Sequence, residues 1–252
     1  MAFQTVFRRV EKKYLLDGHQ YTELRKRLEG YMTVDQYGET TICNIYYDTP
    51  ENTLVRRSLE KPIYKEKLRV RSYGTAKPGG TVFVEVKKKF KGVVYKRRAS
   101  MKLEESDEFV KGKPVGCKDK QIENELLYFM KFYKGIGPAM YLSYDRIAMF
   151  GNEDPELRVT FDRNITFRVE DMRLEIPSAG RKILPEGMRV MEIKITNAMP
   201  LWLAHMLDEL KIYPASFSKY GACYTLLEKE KAEAAKESNK NIEKKDRVTY
   251  CA

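Results

Sequence analysis

This sequence predicts an α+β fold, rich in antiparallel β-structure with helices packed outside it, on three observations. Segments such as Leu68-Arg69-Val70-Arg71 and Val82-Phe83-Val84-Glu85-Val86-Lys87 alternate aliphatic with charged residues. Amphipathic helical stripes interrupt these segments. Gly79-Gly80 and Lys91-Gly92 mark two turns that make residues 64–103 a strand meander. Successive side chains on a strand point to opposite faces. Arg69 and Arg71 therefore share a face, as do Glu85 and Lys87, while Leu68, Val70, Val82, Val84 and Val86 line the other. Met191-Glu192-Ile193-Lys194-Ile195 repeats the pattern, and Glu11-Lys12-Lys13-Tyr14 does so less cleanly.

In chain order, alternation marks strands near residues 6–16, 41–48, 64–73, 81–89, 92–103, 139–150, 156–162, 165–171 and 188–196. Asp17 caps a helix through about Leu28, with Tyr21, Leu24 and Leu28 on one stripe. Asp119 to Lys134 repeats this with Ile122, Leu126, Phe129 and Tyr133. Pro200 opens a helix carrying Leu203, Met206, Leu207 and Leu210, and a last helix covers about Ser218 to Lys231, with continuation into the tail left open. From Lys231 the composition turns to Lys, Glu, Ala and Asn. Residues 1–231 thus read as one domain and 232–252 as a charged, flexible tail.

The aliphatic faces need cover, and the helices can supply it. The charged faces must stay wet. Two arrangements satisfy both demands: an open sheet with its charged face in bulk water, or a closed barrel whose charges line a lumen. Arg and Lys dominate that face with a single Glu per strand, which adds weight to the lumen, and closure removes exposed strand edges.

Composition narrows the function. Among 252 residues, 47 Lys and Arg stand against 36 Asp and Glu, a net charge of +11 that calls for an acidic partner. Cys43, Cys117, Cys223 and Cys251 form no Cys-x-x-Cys pair, and His19 and His205 are the two histidines, so a Cys/His zinc site is not expected. Unpaired cysteines fit a reducing cytoplasm. The N-terminus does not resemble a signal peptide, and no run of ~20 apolar residues occurs. There is no Gly-x-x-x-x-Gly-Lys-Ser/Thr loop, and Gly135-Ile136-Gly137 lacks a third glycine.

Arg69 and Arg71 place two guanidinium forks roughly 7 Å apart, each able to grip phosphate oxygens. Cross-strand salt bridges are the alternative for this pair. Tyr144-Asp145-Arg146 and Leu157-Arg158-Val159-Thr160-Phe161-Asp162 continue the habit. Glu192, a lone carboxylate among cations, either balances charge or offers a hard oxygen to magnesium or manganese, with Glu85 and Glu11 as weaker candidates. Ser216-Phe217-Ser218-Lys219-Tyr220 sets Ser and Lys where helix-start amides point outward. Lys87-Lys88-Lys89 and Lys96-Arg97-Arg98, interleaved with Phe90 and Tyr95, suggest a basic patch facing a membrane or partner; no base-reading motif accompanies them, so no specific nucleic acid is expected.

In order, Glu11-Lys12-Lys13-Tyr14-Leu15, Leu68-Arg69-Val70-Arg71-Ser72-Tyr73-Gly74, Val84-Glu85-Val86-Lys87, Ser143-Tyr144-Asp145-Arg146, Leu157 to Asp162, Met191-Glu192-Ile193-Lys194 and Phe217-Ser218-Lys219-Tyr220 resemble the vacuolar transporter chaperone (VTC) catalytic domain. That is the polyphosphate polymerase branch of the triphosphate tunnel metalloenzymes, and the match runs over about residues 5–228. The resemblance implies a closed antiparallel tunnel barrel that moves the γ-phosphoryl group of ATP onto inorganic polyphosphate with Mn2+ or Mg2+. By position, Lys13, Arg69, Arg71, Lys87, Arg146, Arg158 and Lys219 would hold phosphates, with Arg69, Arg71, Arg146, Arg158 and Lys219 at the reacting group. Glu192 would hold the metal; Tyr144, Lys194 and Ser218 would support the site. Hydrolytic relatives carry Glu-x-Glu-x-Lys on the first strand, where this chain has Arg9-Val10-Glu11-Lys12-Lys13. Ser216 stands where some polymerases have a lysine. A triphosphatase on the same barrel and a non-catalytic polyphosphate- or nucleic-acid-binding module are the alternatives. A stand-alone cytoplasmic protein is expected, with room for a membrane-protein partner at the inner face of the membrane.

Overall fold

The computed structural model of the chain describes residues 10–196 and 198–249, with side chains through residue 238. In order, the elements are β1 (Val10–Leu16), α1 (Gly18–Leu28), β2 (Met32–Asp48), α2 (Thr53–Leu59), β3 (Tyr64–Tyr73), β4 (Thr81–Phe90) and β5 (Val93–Lys102). Then follow α3 (Leu103–Phe109), α4 (Lys120–Phe132), β6 (Gly137–Gly151), β7 (Arg158–Arg168), β8 (Arg181–Lys182), β9 (Arg189–Ile195), α5 (Leu201–Glu209) and α6 (Lys219–Thr249).

The strands form one antiparallel sheet in the order β1-β9-β7-β6-β2-β3-β4-β5, with β8 paired to β7. Helices cover its aliphatic face. Val70, Val84 and Leu68 pack with Phe109, Leu126 and Phe129 of α3 and α4. Leu24 and Leu28 of α1 and Leu203 and Leu207 of α5 pack on Val159, Met191 and Ile193. Tyr220 and Cys223 of α6 close a third core with Ile42, Tyr46 and Leu142. Cys43, Cys117 and Cys223 are buried, free thiols.

Local chemistry explains the boundaries. Asp17 accepts from the Gln20 amide at 2.7 Å while the Gln20 side chain accepts from the Asp17 amide at 3.2 Å, a capping box at the start of α1. Asp119 caps α4 through the Ile122 amide at 3.0 Å. Between β4 and β5, Lys91 and Gly92 take φ of 45° and 84°, the paired positive φ that a two-residue type I′ hairpin needs.

Several expectations change. The expected strands at 156–162 and 165–171 are one strand, β7, in which Asn164 takes φ 50° beside a register shift. That bulge is the break read in the sequence. The helices α2 and α3, seven residues each, were not expected. The helix α6 takes the continuation that the sequence left open and runs on through the charged segment, with its side chains exposed from 231 to 238. The expected closure also takes a different form. Among the described residues the ladder ends at β1 and β5, which do not hydrogen-bond to each other. The ion pair from Lys87 Nζ on β4 to Glu11 Oε2 on β1, at 2.5 Å, bridges the seam instead. Among the described residues no helix is long and apolar enough to cross a membrane.

Candidate active site

The polar face of the sheet encloses a cavity of about 1440 Å³, lined from every strand except β8 and from the start of α6. Eight of its cations gather in two groups, one around Glu85 and one around Asp162 and Glu192.

The first group surrounds Glu85, which is 1% exposed. Arg69 Nε donates to Glu85 Oε2 at 2.8 Å and Arg98 Nε to Oε1 at 2.6 Å, while Lys96 lies 2.7 Å and Arg71 3.8 Å away. Burial alone would raise the Glu85 carboxyl, but Arg71, Arg69, Lys96 and Arg98 hold it well below the usual carboxylate range. Arg71 Nε also donates to Asn44 Oδ1 at 3.0 Å, and Arg69 Nη1 to the Tyr46 hydroxyl at 3.2 Å. The ladder explains the cage, because Arg69 and Arg98 sit directly across from Glu85 on β3 and β5.

The second group surrounds Asp162 and Glu192. Arg146 grips Asp162 with both arms, Nε to Oδ1 at 2.6 Å and Nη2 to Oδ2 at 2.8 Å. Lys219, the first residue of α6, pairs with Asp162 and lies 3.5 Å from Glu192. Lys13 and Lys194 each approach Glu192 at 3.4 Å. Burial opposes ionisation of Glu192, yet Lys13, Lys219, Lys194 and Arg146 hold its carboxyl well below the usual range. Burial would lower the Lys219 ammonium, but Asp162 and Glu192 hold it above its ordinary value. Lys13 also donates to the Phe217 carbonyl at 2.9 Å, tying β1 to the start of α6.

Tyr144 stands between the groups. Its hydroxyl accepts from Arg71 Nη2 at 3.2 Å, and its ring centre lies 5.1 Å from the Arg146 guanidinium and 4.7 Å from Lys219 Nζ. Ser218 accepts from Lys67 Nζ at 2.7 Å and from the Gly221 amide at 3.1 Å, so it caps α6 and holds a lysine.

The cavity thus brings together Lys13, Arg69, Arg71, Lys87, Tyr144, Arg146, Lys194, Ser218 and Lys219. Arg158 lines it too, but its side chain is 42% exposed and its ion partner is Asp35, 3.7 Å away. The basic patch read from Lys87-Lys88-Lys89 and Lys96-Arg97-Arg98 does not exist as one surface. The pleat turns Lys87, Lys89, Lys96 and Arg98 into the cavity, while Lys88 and Arg97 pair outside with Glu66 and Glu125. Sequence reasoning missed Lys67, Lys96, Arg98 and Asp162. The first three share the Arg69 alternation or its register, which was the available signal. Arg9 lies outside the described residues.

The carboxylates were also metal candidates. Glu85 does not suit that role, because cations close on both of its oxygens at 2.6–2.7 Å, whereas those around Glu192 stand at 3.4 Å or more. Among the described residues no three His, Cys, Asp or Glu side chains gather as a ligand set. Glu192 remains, with Glu11 diagonal to it across the β1–β9 ladder. Burial opposes the Glu11 charge, but Lys87 and Lys194 hold its carboxyl down at about 2. One or two carboxylates suit a divalent ion that arrives already bound to phosphates, and do not suit one held by protein alone.

No curated protein matches the chain in sequence. In fold it is similar to a proposed adenylate cyclase from Bacillus halodurans, with TM-score 0.53 at 12% identity over 85% of this chain and 96% of that one. It is equally similar to HpAC1 from Hippeastrum, a proposed adenylyl cyclase described as having a dominant triphosphatase activity, with TM-score 0.53 at 14% identity over 86% and 95%. The family model for the VTC domain matches residues 8–228, nearly the whole described chain and all of the cavity's strands. This chain belongs to the VTC domain family.

Proposed function

We propose that the chain is a polyphosphate polymerase, transferring the γ-phosphoryl group of ATP to a growing inorganic polyphosphate chain inside the cavity with Mn2+ or Mg2+. The observation that carries this reading is the pair of cation groups in one cavity, joined by Tyr144. Transfer between two phosphate chains needs two anion stations, one for the donor and one for the acceptor.

Phosphoryl transfer asks the protein for in-line positioning and charge stabilisation. Arg146 and Lys219, fixed by Asp162, present rigid donors to the equatorial oxygens of the moving group. Arg69 and Arg71, fixed by Glu85, Asn44 and Tyr46, hold the partner chain. A terminal oxygen of the acceptor forms the new bond to the γ-phosphorus. The β–γ bridge then breaks, and its electron pair leaves on ADP. The acceptor oxygen is already ionised, so the step needs no base. A divalent ion held by Glu192 and by phosphate oxygens would neutralise charge on the bridging oxygens.

A triphosphatase is the second reading, favoured by the activity described for the Hippeastrum protein of similar fold. Incubation with ATP and manganese, followed by a polyphosphate gel, separates the two. Ladders are expected; orthophosphate without ladders would overturn the polymerase reading, and no ATP consumption with any divalent ion would indicate a binding module.

A further inference from the structure

Lys67 has a different kind of partner from the other cavity cations. It lies on β3 two residues before Arg69, lines the cavity and faces Lys87 across the β3–β4 ladder. Among the described residues it forms no ion pair, and its hydrogen-bond partner is the Ser218 hydroxyl at 2.7 Å.

The charged groups that act on it most strongly are cations: Lys13 on β1, Lys87 on β4, and Lys65 and Arg69 on β3. The nearby carboxylates are engaged elsewhere. Glu11 holds Lys87, Glu192 holds Lys13, and Glu85 holds Arg69. Lys65 is tied to the Ser58 carbonyl at 3.2 Å.

A hydroxyl can donate or accept, so Ser218 satisfies either form of the amine. It accepts from an ammonium, and it donates to a neutral amine. A carboxylate partner would fix the charged form. Burial, then Lys13, Lys87, Lys65 and Arg69, push the Lys67 ammonium well below the usual lysine range.

We propose that Lys67 is a further phosphate ligand of the cavity, and that entry of a phosphate chain is coupled to proton uptake at its amine. This rests on the reading that the cavity takes phosphate chains. The incoming anion supplies the negative charge that the Lys67 surroundings lack, and the amine takes a proton from solvent to become its ammonium partner. Lys13, Lys87 and Lys96 differ from Lys67 in geometry, since each already lies against a carboxylate, at 3.4 Å, 2.5 Å and 2.7 Å.

Isothermal titration calorimetry of the full chain with metal-free tripolyphosphate, near neutral pH in buffers of different ionisation enthalpy, tests this. The expected result for the wild type is uptake of about one proton more per bound ligand than in Lys67→Arg, whose guanidinium is always charged. Lys67→Met is expected to bind roughly tenfold or more weaker, with the extra uptake gone. Equal proton uptake in the wild type and Lys67→Arg would overturn the coupling while leaving the cavity's reading intact. Absence of tripolyphosphate binding by the wild type would overturn both.

Discussion

Glu192 and Arg158 show how position within the cavity sets a residue's role. Glu192 touches Lys13, Lys194 and Lys219 and is the carboxylate best placed for a metal that comes with the substrate. Glu192→Gln keeps shape and removes charge; metal-dependent turnover is expected to fall by about 10²-fold or more with an unchanged circular dichroism spectrum. Near-normal turnover would take Glu192 out of the metal role. Arg158, half exposed and paired with Asp35, is expected to act at the mouth of the cavity. Steady-state kinetics of Arg158→Ala should show a raised KM at nearly constant kcat, and a large drop in kcat would move it to the reacting group. Most of these residues were legible, because a cation at every second position of a strand must share one face. Lys96 and Arg98 were not, since an unbroken run of basic residues hides the pleat that separates them from Arg97. Asp162 escaped because a lone carboxylate between Phe161 and Arg163 carries no mark of its two partners on β6 and α6.

Among the elements, α6 matters most, since its first residue supplies a cavity cation. Asp48, the last residue of β2, holds it in place from behind. Its carboxylate, 2% exposed as a residue, accepts from the amides of Thr49 and Leu54 at 2.8 Å and Val55 at 2.9 Å, and from the Tyr220 hydroxyl at 3.0 Å. One side chain therefore joins β2, the start of α2 and the first turn of α6. The Tyr220 ring stacks on Tyr46 at 4.7 Å, carrying the connection to Arg69. Asp48→Ala is expected to cost about 2–4 kcal/mol in urea denaturation, because it strands several buried donors. A loss below about 0.5 kcal/mol, the size of an ordinary surface change, would contradict the role given to Asp48. The sequence announced α1, α4, α5 and α6 through caps and apolar stripes. It could not announce α2 or α3, because seven residues complete barely two turns and leave no period to read.

For the whole molecule, the buried carboxylates set the response to acid. Glu11, Glu85, Asp162 and Glu192 are all held below their ordinary values of 4.5 for Glu and 3.8 for Asp. A carboxylate depressed on folding contributes stability above its unfolded value and loses it as pH falls toward the folded one. Stability measured by urea denaturation should thus hold above about pH 5 and decline steeply from there toward pH 2, in line with acid denaturation through paired carboxylates. A flat profile across that window would mean the cages are not ionised. The lumen was legible in outline from the excess of Arg and Lys on one strand face. The seam between β1 and β5 was not, because alternation reports which face a residue takes and says nothing of which edges meet.

The carboxylates at the heart of each cation group make the cavity resemble an ion exchanger loaded with its own resident counterions. A small monovalent anion offers each cation no more than Glu85 or Glu192 already gives, and it gains little by entering. A long phosphate chain meets many cations in a single binding event, so each later contact forms at high effective concentration. On the proposed function, preference for polymer over free orthophosphate is the expected consequence of valence, without any group that measures chain length.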